Sequence, residues 1–415
     1  MSIFSQHALI INAKLLLSIL VLFFLPSLMF VMLNQSSLAV GLIFSFLLIL
    51  LINFRYAIKL RVKTSTVYLA ICLFAYLSTP LFIFVYESGI VKPLLSLVVL
   101  VLIACAFVLG KVISQTSYTS LYNTAFIVWV GLLVLGWLSI LLPVDILGYA
   151  HLEKPVFPFK EQSHFALAFG GISLGCVSTS NKRRAVFVTF NVIVLALAFP
   201  SLTLFLFVFL SLAVLLVIHS NKFLLLLFVF SSPLVLFLVM DLLLSISYFS
   251  ERLVFEGSNN LTVLVFLQGW AIAHKSLVLT DGAGIGFQML GLKSEYFPAI
   301  SHEIFQITGK YFNIYDGGFL AAKVVSELGL IGVFISITYA IFAIRLMLST
   351  FIISKNVCVC KPRRDIEAKL ILLNSLLFGF LVEYFFRGYG YFSPTLLLFF
   401  SVLFARRELR KKLYK

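Results

Sequence analysis

The sequence predicts an all-α polytopic membrane protein with about 12 transmembrane helices, and three observations lead to this fold class. Hydrophobic residues make up 62% of the 415 residues and charged residues only 11%, so too few polar side chains are present to cover a soluble surface. Apolar runs of about twenty residues, the length that crosses a bilayer, recur along the chain. Basic residues collect between these runs, on one face of the predicted membrane domain. We therefore predict a single membrane domain over residues 1–415.

The apolar runs predict the individual spans. Pro200 and Ser201 interrupt the longest run, which predicts a tight hairpin of two short spans within residues 185–218. The other predicted spans are residues 15–33, 37–54, 66–86, 93–110, 122–142, 163–180, 223–245, 319–344, 370–386 and 391–405. Because the number of spans is even, both termini are predicted on the same side of the membrane.

The distribution of Lys and Arg sets the predicted orientation. One basic cluster follows the second span, another is Lys182–Arg184 after the sixth span, and a third forms the C-terminal tail from Arg406. All three clusters fall on one face, and an excess of Lys and Arg marks the cytoplasmic face. Both termini are therefore predicted in the cytoplasm. Because topology accounts for most of the net charge of +15, no nucleic-acid partner is expected.

Two loops are predicted on the outer face, a short one at residues 143–162 and a large helical one at residues 246–318. Loops as long as the second are usually functional. Residues 260–279 within it are apolar, but polar residues such as Gln268 interrupt them, and counting them as a span would invert the topology of all that follows. We interpret them as an amphipathic helix at the outer interface or as a re-entrant segment that faces a protein cavity.

Ionisable residues at the outer ends of the spans are the first candidates for a functional site. Glu161 and His164 lie where the short loop meets the sixth span, and a partly desolvated carboxylate there suits proton abstraction from a hydroxyl. Glu383 and Arg387 are four residues apart near the outer end of the eleventh span, and Arg suits bidentate binding of phosphate. Both pairs also fit structural roles, as a helix N-terminus and as an ion pair.

The large loop adds polar candidates that could act on an anionic, hydroxyl-rich ligand. Arg252 follows the ninth span at the depth of lipid headgroups. The others, each also compatible with a solvated surface, are Lys275, His302, Glu303, Lys310 and Asp316. The glycine-rich segment 281–287 does not match the spacing G-x-G-x-x-G, so we predict a tight turn packed against the membrane helices and no nucleotide site.

The cysteines do not indicate a metal site or a disulfide framework. Cys358 and Cys360 form a Cys-x-Cys pair, but no second pair of metal ligands lies near them in the sequence. The remaining three cysteines fall within apolar runs, where no outer disulfide can form. We therefore expect neither a metal nor another cofactor.

Four stretches of the chain together resemble a known family. They are Lys160–Ala166, Gly282–Phe287, Asp316–Phe319 with the following Glu327–Gly332, and Arg387–Pro394. Their order and the long outer loop before the Glu-x-Gly segment resemble the O-antigen polymerases, called Wzy, and the related O-antigen ligases. The resemblance extends over nearly the whole chain. It implies a membrane-embedded glycosyltransferase, GT-C-like, in the bacterial inner membrane.

The resemblance implies an enzyme of lipopolysaccharide biosynthesis that works on the periplasmic face without nucleotide sugar. Donor and acceptor would both be undecaprenyl-diphosphate-linked O-units, with diphosphate as the leaving group. Arg252 and Arg387 would hold the diphosphate, and Glu161 is the first choice for the catalytic base, with His302 second. Supporting candidates are His164, Lys275, Glu303, Asp316 and Glu383. Whether a chain-length regulator of the Wzz type also binds is left open by the sequence.

Three other functions remain open from the sequence. An O-antigen ligase would transfer the glycan to the lipid A core. A flippase or other transporter of lipid-linked oligosaccharides would need a charged central cavity and more Arg and Lys within its spans. A scaffold without chemistry would not explain why ionisable residues lie at the outer ends of several spans. The concentration of these residues at one membrane surface favours the transferase.

Overall fold

The structure is a computed structural model. It describes residues 3–35, 37–58, 68, 71–72, 75, 91–142, 148–150, 152, 155–179, 181–199, 201–220, 237, 241, 244–245, 250, 253–254, 258–355 and 361–413. Helices make up the regular structure of these residues; no strand forms among them, although Val156 and Phe159 make an isolated β-bridge. The predicted all-α architecture is therefore confirmed for the described part of the chain.

The helices are numbered in chain order. They are α1 Ile3–Met32, α2 Ala39–Ile52, α3 Phe54–Ile58, α4 Val91–Gln115, α5 Tyr118–Leu141, α6 Gln162–Val177, α7 Lys182–Ala198, α8 Leu202–His219, α9 Leu261–Leu279, α10 Ala299–Thr308, α11 Leu320–Lys355, α12 Lys361–Phe385 and α13 Pro394–Leu413, with a short 3-10 helix at Ser294–Tyr296. One continuous apolar core joins α1, α2, α4 to α8 and α11 to α13. A smaller apolar cluster joins α9 to α10.

Among the described residues, six helices are long and apolar enough to cross a membrane. They are α1, α5, α8, α9, α11 and α12, while α2 and the Val101–Gln115 part of α4 are shorter apolar helices. This composition gives the chain the character of a multi-pass membrane protein. The predicted spans 66–86 and 223–245 lie mostly outside the described residues.

Two predictions for helix boundaries can be compared directly with the structure. The division predicted within residues 185–218 is confirmed, because α7 ends at Ala198 and α8 begins at Leu202. Of these two helices, α8 is long and apolar enough to cross a membrane. Helix α13 continues beyond the last predicted span, residues 391–405, and ends at Leu413. Arg, Lys, Glu and Leu favour helix, and Lys411 contacts Glu408 at 2.6 Å, so the basic tail extends the helix beyond its apolar part.

Helix α11 consists of two helices joined at Gly329, whose backbone is not helical (φ 60°, ψ −134°). A break of this kind removes helical hydrogen bonds, and buried backbone groups then need other partners. The glycine-rich segment 281–287 provides them: two of its N–H groups donate to the carbonyls of Ser326 and Glu327 at 3.0 Å. In return, the N–H of Leu330 donates to a carbonyl of the segment at 2.8 Å. The predicted tight turn against a membrane helix is confirmed.

Helix α9 lies beside the N-terminal part of α11, and the chain then returns to the end at which α9 began. Near the start of α9, Val265 packs against Gly318; after α9, the segment 281–287 lies against Gly329, and Gly291 comes back to Ile314. Relative to α11, α9 and the turn after it therefore form a re-entrant hairpin. This arrangement agrees with the re-entrant interpretation of residues 260–279.

The exposed surface of the same segment is mixed. It includes the large apolar side chains of Trp270, Val278 and Leu279 together with His274, so the amphipathic interpretation stays a prediction. The length and composition of α9 also suffice for crossing a membrane.

The part of α11 after its break carries an exposed apolar stripe. Its members recur every three or four residues on one helix face. They are Leu330, Phe334, Ile337, Ile341, Ile344, Leu348 and Ile352. An apolar surface of this length is typical of a helix that faces lipid. Residues 320–328 contribute no large exposed apolar side chain to it.

The helix bundle has two distinct ends. We call the end that holds residues 280–318, the start of α6 and the end of α12 the loop end. These segments meet there, because the N–H of Gly388 donates to the carbonyl of Gly318 at 3.1 Å. The other end is called the opposite end, and α13 runs towards it.

Candidate functional site

Glu161 is held at the loop end by the short segment that precedes α6. Its backbone is extended (φ −146°, ψ 162°), and the helix begins at the next residue. Before it, Val156 and Phe159 exchange two backbone hydrogen bonds, and the hydroxyl of Tyr149 donates to the carbonyl of Pro158 at 2.5 Å. These contacts therefore fix the position of Glu161 at the start of α6.

Three donors converge on one carboxylate oxygen of Glu161. Arg387 Nη2 donates to Oε1 at 2.6 Å, His164 Nε2 lies 3.0 Å from the same atom, and the hydroxyl of Ser163 also donates to it. Charge-assisted hydrogen bonds of this kind are the stronger ones in proteins. The side chains of Glu161 and Arg387 are 38% and 28% exposed, so the pair is partly open to a ligand.

The end of α12 fixes the position of Arg387. Its own N–H donates to the carbonyl of Val382 at 3.0 Å, which closes the helix, and the N–H of Gly388 joins the chain to the segment before α11. Gly388 is packed so closely that an added Cβ would lie 2.8 Å from the carbonyl oxygen of Glu383. The guanidinium group is thus presented by a backbone that is anchored on both sides.

Electrostatics keep Glu161 ionised. Burial raises its pKa, but the charge and hydrogen bond of His164 and the charge of Arg387 outweigh burial and hold the pKa of Glu161 well below its ordinary value. The ring of Tyr389 lies 4.2 Å from the imidazole of His164. Burial, reinforced by the Glu161 charge, raises the pKa of Tyr389 well above its ordinary value. At neutral pH the cluster therefore contains an ionised carboxylate and a neutral phenol.

This electrostatic arrangement predicts how stability depends on pH. A carboxyl group whose pKa falls on folding adds stability that is fully present above its unfolded pKa, 4.5 here, and is lost as pH falls through the folded value. Glu161→Gln should therefore lower the melting temperature at about pH 7. The difference from the wild type should shrink below about pH 4. A difference of the same size at about pH 7 and below about pH 4 would contradict an ionised Glu161.

Glu383 does not form the ion pair with Arg387 that the sequence spacing allowed. Its side chain is 1% exposed, and neither carboxylate oxygen makes a hydrogen bond of normal geometry with another described residue. It borders a small, mostly apolar cavity of about 30 Å³ inside the bundle, which Gly171, Gly379 and Thr395 also line. Arg387 pairs with Glu161 instead. Glu383 therefore lies inside the bundle and is not part of the candidate site.

A second charged cluster at the loop end centres on Lys323, which is 4% exposed. Its Nζ donates to the carbonyl of Tyr315 at 2.6 Å and to Asp316 Oδ1 at 3.2 Å, and lies 3.9 Å from Glu327 Oε1. The same nitrogen lies 5.3 Å from the ring centre of Tyr391. Asp316, whose side chain is 47% exposed, is therefore held by the buried Lys323 in a network that ties the start of α11 to the segment after α12. The four-residue spacing of Lys323 and Glu327 was the sequence signal for this network.

The remaining predicted residues lie elsewhere. Lys275 donates from α9 to a backbone carbonyl of the loop at 2.7 Å, and His302 Nδ1 lies 3.3 Å from a tyrosine hydroxyl. Glu303 is exposed on α10. The contacts described for these three residues do not reach the Glu161 cluster. Arg252 lies outside the described residues, so of the predicted diphosphate and base residues the structure brings together Glu161 and Arg387.

Within the described ranges, no group of three or more His, Cys, Asp or Glu side chains could hold a metal ion. Cys358 and Cys360 lie outside those ranges. No protein-family model matches the chain, and no curated protein or solved structure matches it either.

Proposed function

We propose that this protein is an O-antigen polymerase, a glycosyltransferase of the periplasmic face of the bacterial inner membrane. It would transfer the growing undecaprenyl-diphosphate-linked glycan to the incoming lipid-linked repeat unit. The observation that carries the proposal is the convergence of Arg387, His164 and Ser163 on Glu161 at one end of a bundle of apolar helices. The Arg387–Glu161 pair joins residues 226 positions apart, in two of the stretches that resemble the family.

The chemistry of the transfer matches what this cluster can supply. A sugar hydroxyl of the acceptor attacks the anomeric carbon of the donor, the bond from that carbon to the diphosphate breaks, and the diphosphate leaves with the electron pair. The hydroxyl proton passes to a base. One N–H of the Arg387 guanidinium donates to Glu161. The remaining N–H groups of this planar group stay available for phosphate oxygens. Glu161 thereby orients the guanidinium group towards its ligand.

The same geometry favours His164 over Glu161 as the base. One carboxylate oxygen of Glu161 is already occupied by Arg387, His164 and Ser163, which makes Glu161 a weaker acceptor for the hydroxyl proton. With Nε2–H donating to Glu161, the imidazole of His164 keeps Nδ1 to accept the hydroxyl proton. Glu161 then orients His164 and stabilises its protonated form, as carboxylates do for histidine bases in other enzymes. His302 contacts a tyrosine hydroxyl, which gives it no comparable support.

The proposal includes the predicted topology of about 12 spans with both termini in the cytoplasm. The re-entrant hairpin of α9 supports an even number of crossings, because the chain leaves that segment at the end where it entered. Described basic residues also gather at the opposite end, at the start of α7, around Lys369 and along the last turns of α13. An excess of Lys and Arg there supports a cytoplasmic location for that end.

The test of this function is a gel of lipopolysaccharide from cells that lack the gene, with and without the wild-type gene restored. Deletion is expected to leave one band of core plus a single O-unit, and the restored gene should return the ladder. Loss of every O-unit, with polymer accumulating on undecaprenyl diphosphate, would identify a ligase instead. An unchanged ladder would exclude both enzymes.

A further inference from the structure

A groove at the opposite end of the bundle, unconnected with the candidate site, combines apolar and cationic side chains. Its volume is about 670 Å³. The described side chains that line it are Leu403, Phe404, Arg406, Arg407, Arg410 and Lys411, all on α13. The apolar members come first along the helix and the cationic members follow within two turns. The groove thus changes from apolar to cationic in the direction that leads out of the bundle.

Among the residues that line the groove, Arg406 is held in position by contacts within the protein. Its side chain is 7% exposed, its Nε donates to Asn374 Oδ1 at 2.6 Å, and its guanidinium lies 5.4 Å from the ring centre of Phe342. The amide of Asn374 donates in turn to Thr350 at 3.1 Å. These contacts hold the guanidinium in place and occupy only one of its N–H donors.

In the part of the chain that the structure describes, no carboxylate pairs with Arg406. Glu408, the acidic residue nearest in sequence, pairs with Lys411 at 2.6 Å, and the two acidic residues at the start of α12 pair with Lys369 and Arg363. Burying a cation without a counter-ion is costly, because the charge loses its hydration. Arg406 therefore offers a built, uncompensated site for an anion.

The neighbouring cations further favour the binding of an anion next to Arg406. Arg410 lies four residues after Arg406, and Lys411 lies four after Arg407, so each pair of like charges faces the same side of the helix and repels. Burial, reinforced by the charge of Arg410, lowers the pKa of Arg406 to about 10. An anion placed between these groups would relieve the repulsion.

We propose that this groove binds an anionic glycerophospholipid from the bilayer leaflet around the C-terminal half of α13. Arg406, Arg407 and Arg410 would hold the phosphodiester, and an acyl chain would lie along Leu403 and Phe404. A planar guanidinium group can donate two parallel hydrogen bonds to a pair of phosphate oxygens. Basic residues that directly follow an apolar helix attract anionic headgroups. The apolar half of the groove selects a lipid over a free phosphate.

The test follows the melting temperature of the full-length protein in detergent while palmitoyl-oleoyl phosphatidylglycerol is added, compared with phosphatidylcholine of the same acyl chains. A ligand that binds the folded state raises the melting temperature. The wild type should respond to phosphatidylglycerol at a concentration at least about fivefold lower than to phosphatidylcholine. In Arg407→Gln/Arg410→Gln, whose two side chains are exposed, the required concentration should rise about 25-fold, since each cation contributes a factor of about five.

The matched control is Arg183→Gln, which removes an exposed cation at the start of α7, at the same end but outside the groove lining. It should keep the wild-type response to phosphatidylglycerol. Equal responses to the two lipids, or an equally weakened response in Arg183→Gln, would overturn the proposal by showing that no specific groove is involved. Stabilisation by inorganic phosphate that matches phosphatidylglycerol would overturn the assignment to a lipid.

Discussion

In the proposed polymerase, replacing Arg387 with alanine should lower the rate of polymer formation by a factor of about 10²–10³, because it removes preorganised donors to the leaving diphosphate. Arg387→Lys keeps the positive charge but loses the planar fork, so it should recover only part of the rate. The measurement is the amount and length distribution of the O-antigen ladder, normalised to the amount of protein in the membrane.

Two controls separate a loss of chemistry from a loss of fold. The Arg387–Glu161 pair is partly exposed, so its removal should cost only about 1 kcal/mol of stability. The melting temperature of Arg387→Ala should therefore stay close to that of the wild type while the ladder disappears. Arg183→Ala, at the opposite end, should leave the ladder intact. A normal ladder from Arg387→Ala would remove this residue from the proposed site.

Replacing Gly329 with alanine is expected to destabilise the protein by about 3–5 kcal/mol. Its positive φ and its ψ of −134° suit only glycine, and an added Cβ would lie 2.0 Å from the carbonyl oxygen of Gly282. The glycine-rich turn would have to move away, which would break its hydrogen bonds to α11. Thermal unfolding measures the loss, and hydrogen exchange of the amides of residues 281–287 shows whether the turn has separated.

Gly131→Ala is the matched control for this substitution. Gly131 lies within α5, and a Cβ added there meets no atom within 4 Å. Because alanine is the better helix former, this variant should be stabilised by about 0.5–1 kcal/mol. If Gly329→Ala melted like Gly131→Ala, the break in α11 would not be held by the turn as described.

The sequence predicted the helices well where local chemistry marks their ends. Proline and serine at positions 200 and 201 correctly divided one long apolar run into α7 and α8. The break at Gly329 was not predicted, because a glycine within an apolar run is compatible with a continuous helix. Gly332, three residues later, is helical and illustrates this. What distinguishes Gly329 is the approach of the turn from residues 281–287, which depends on tertiary structure.

The sequence suggested Glu161, His164 and Arg387 as candidate residues, but it did not predict how they pair. Helical spacing suggested that Arg387 would face Glu383. That spacing does not apply, because α12 ends at Phe385 and Arg387 belongs to the segment beyond it. Arg387 therefore pairs with Glu161, 226 residues earlier, while Glu383 is buried inside the bundle. Contacts across this distance in sequence depend on how the helices pack, which single-residue chemistry does not specify.

The apolar stripe on α11 also sets a hydrophobic thickness for the protein. From Leu330 to Ile352 it extends about 33 Å at 1.5 Å per residue, close to the hydrocarbon core of a typical bilayer. One boundary of the hydrocarbon then lies at the break in α11, and the other lies near Ile352.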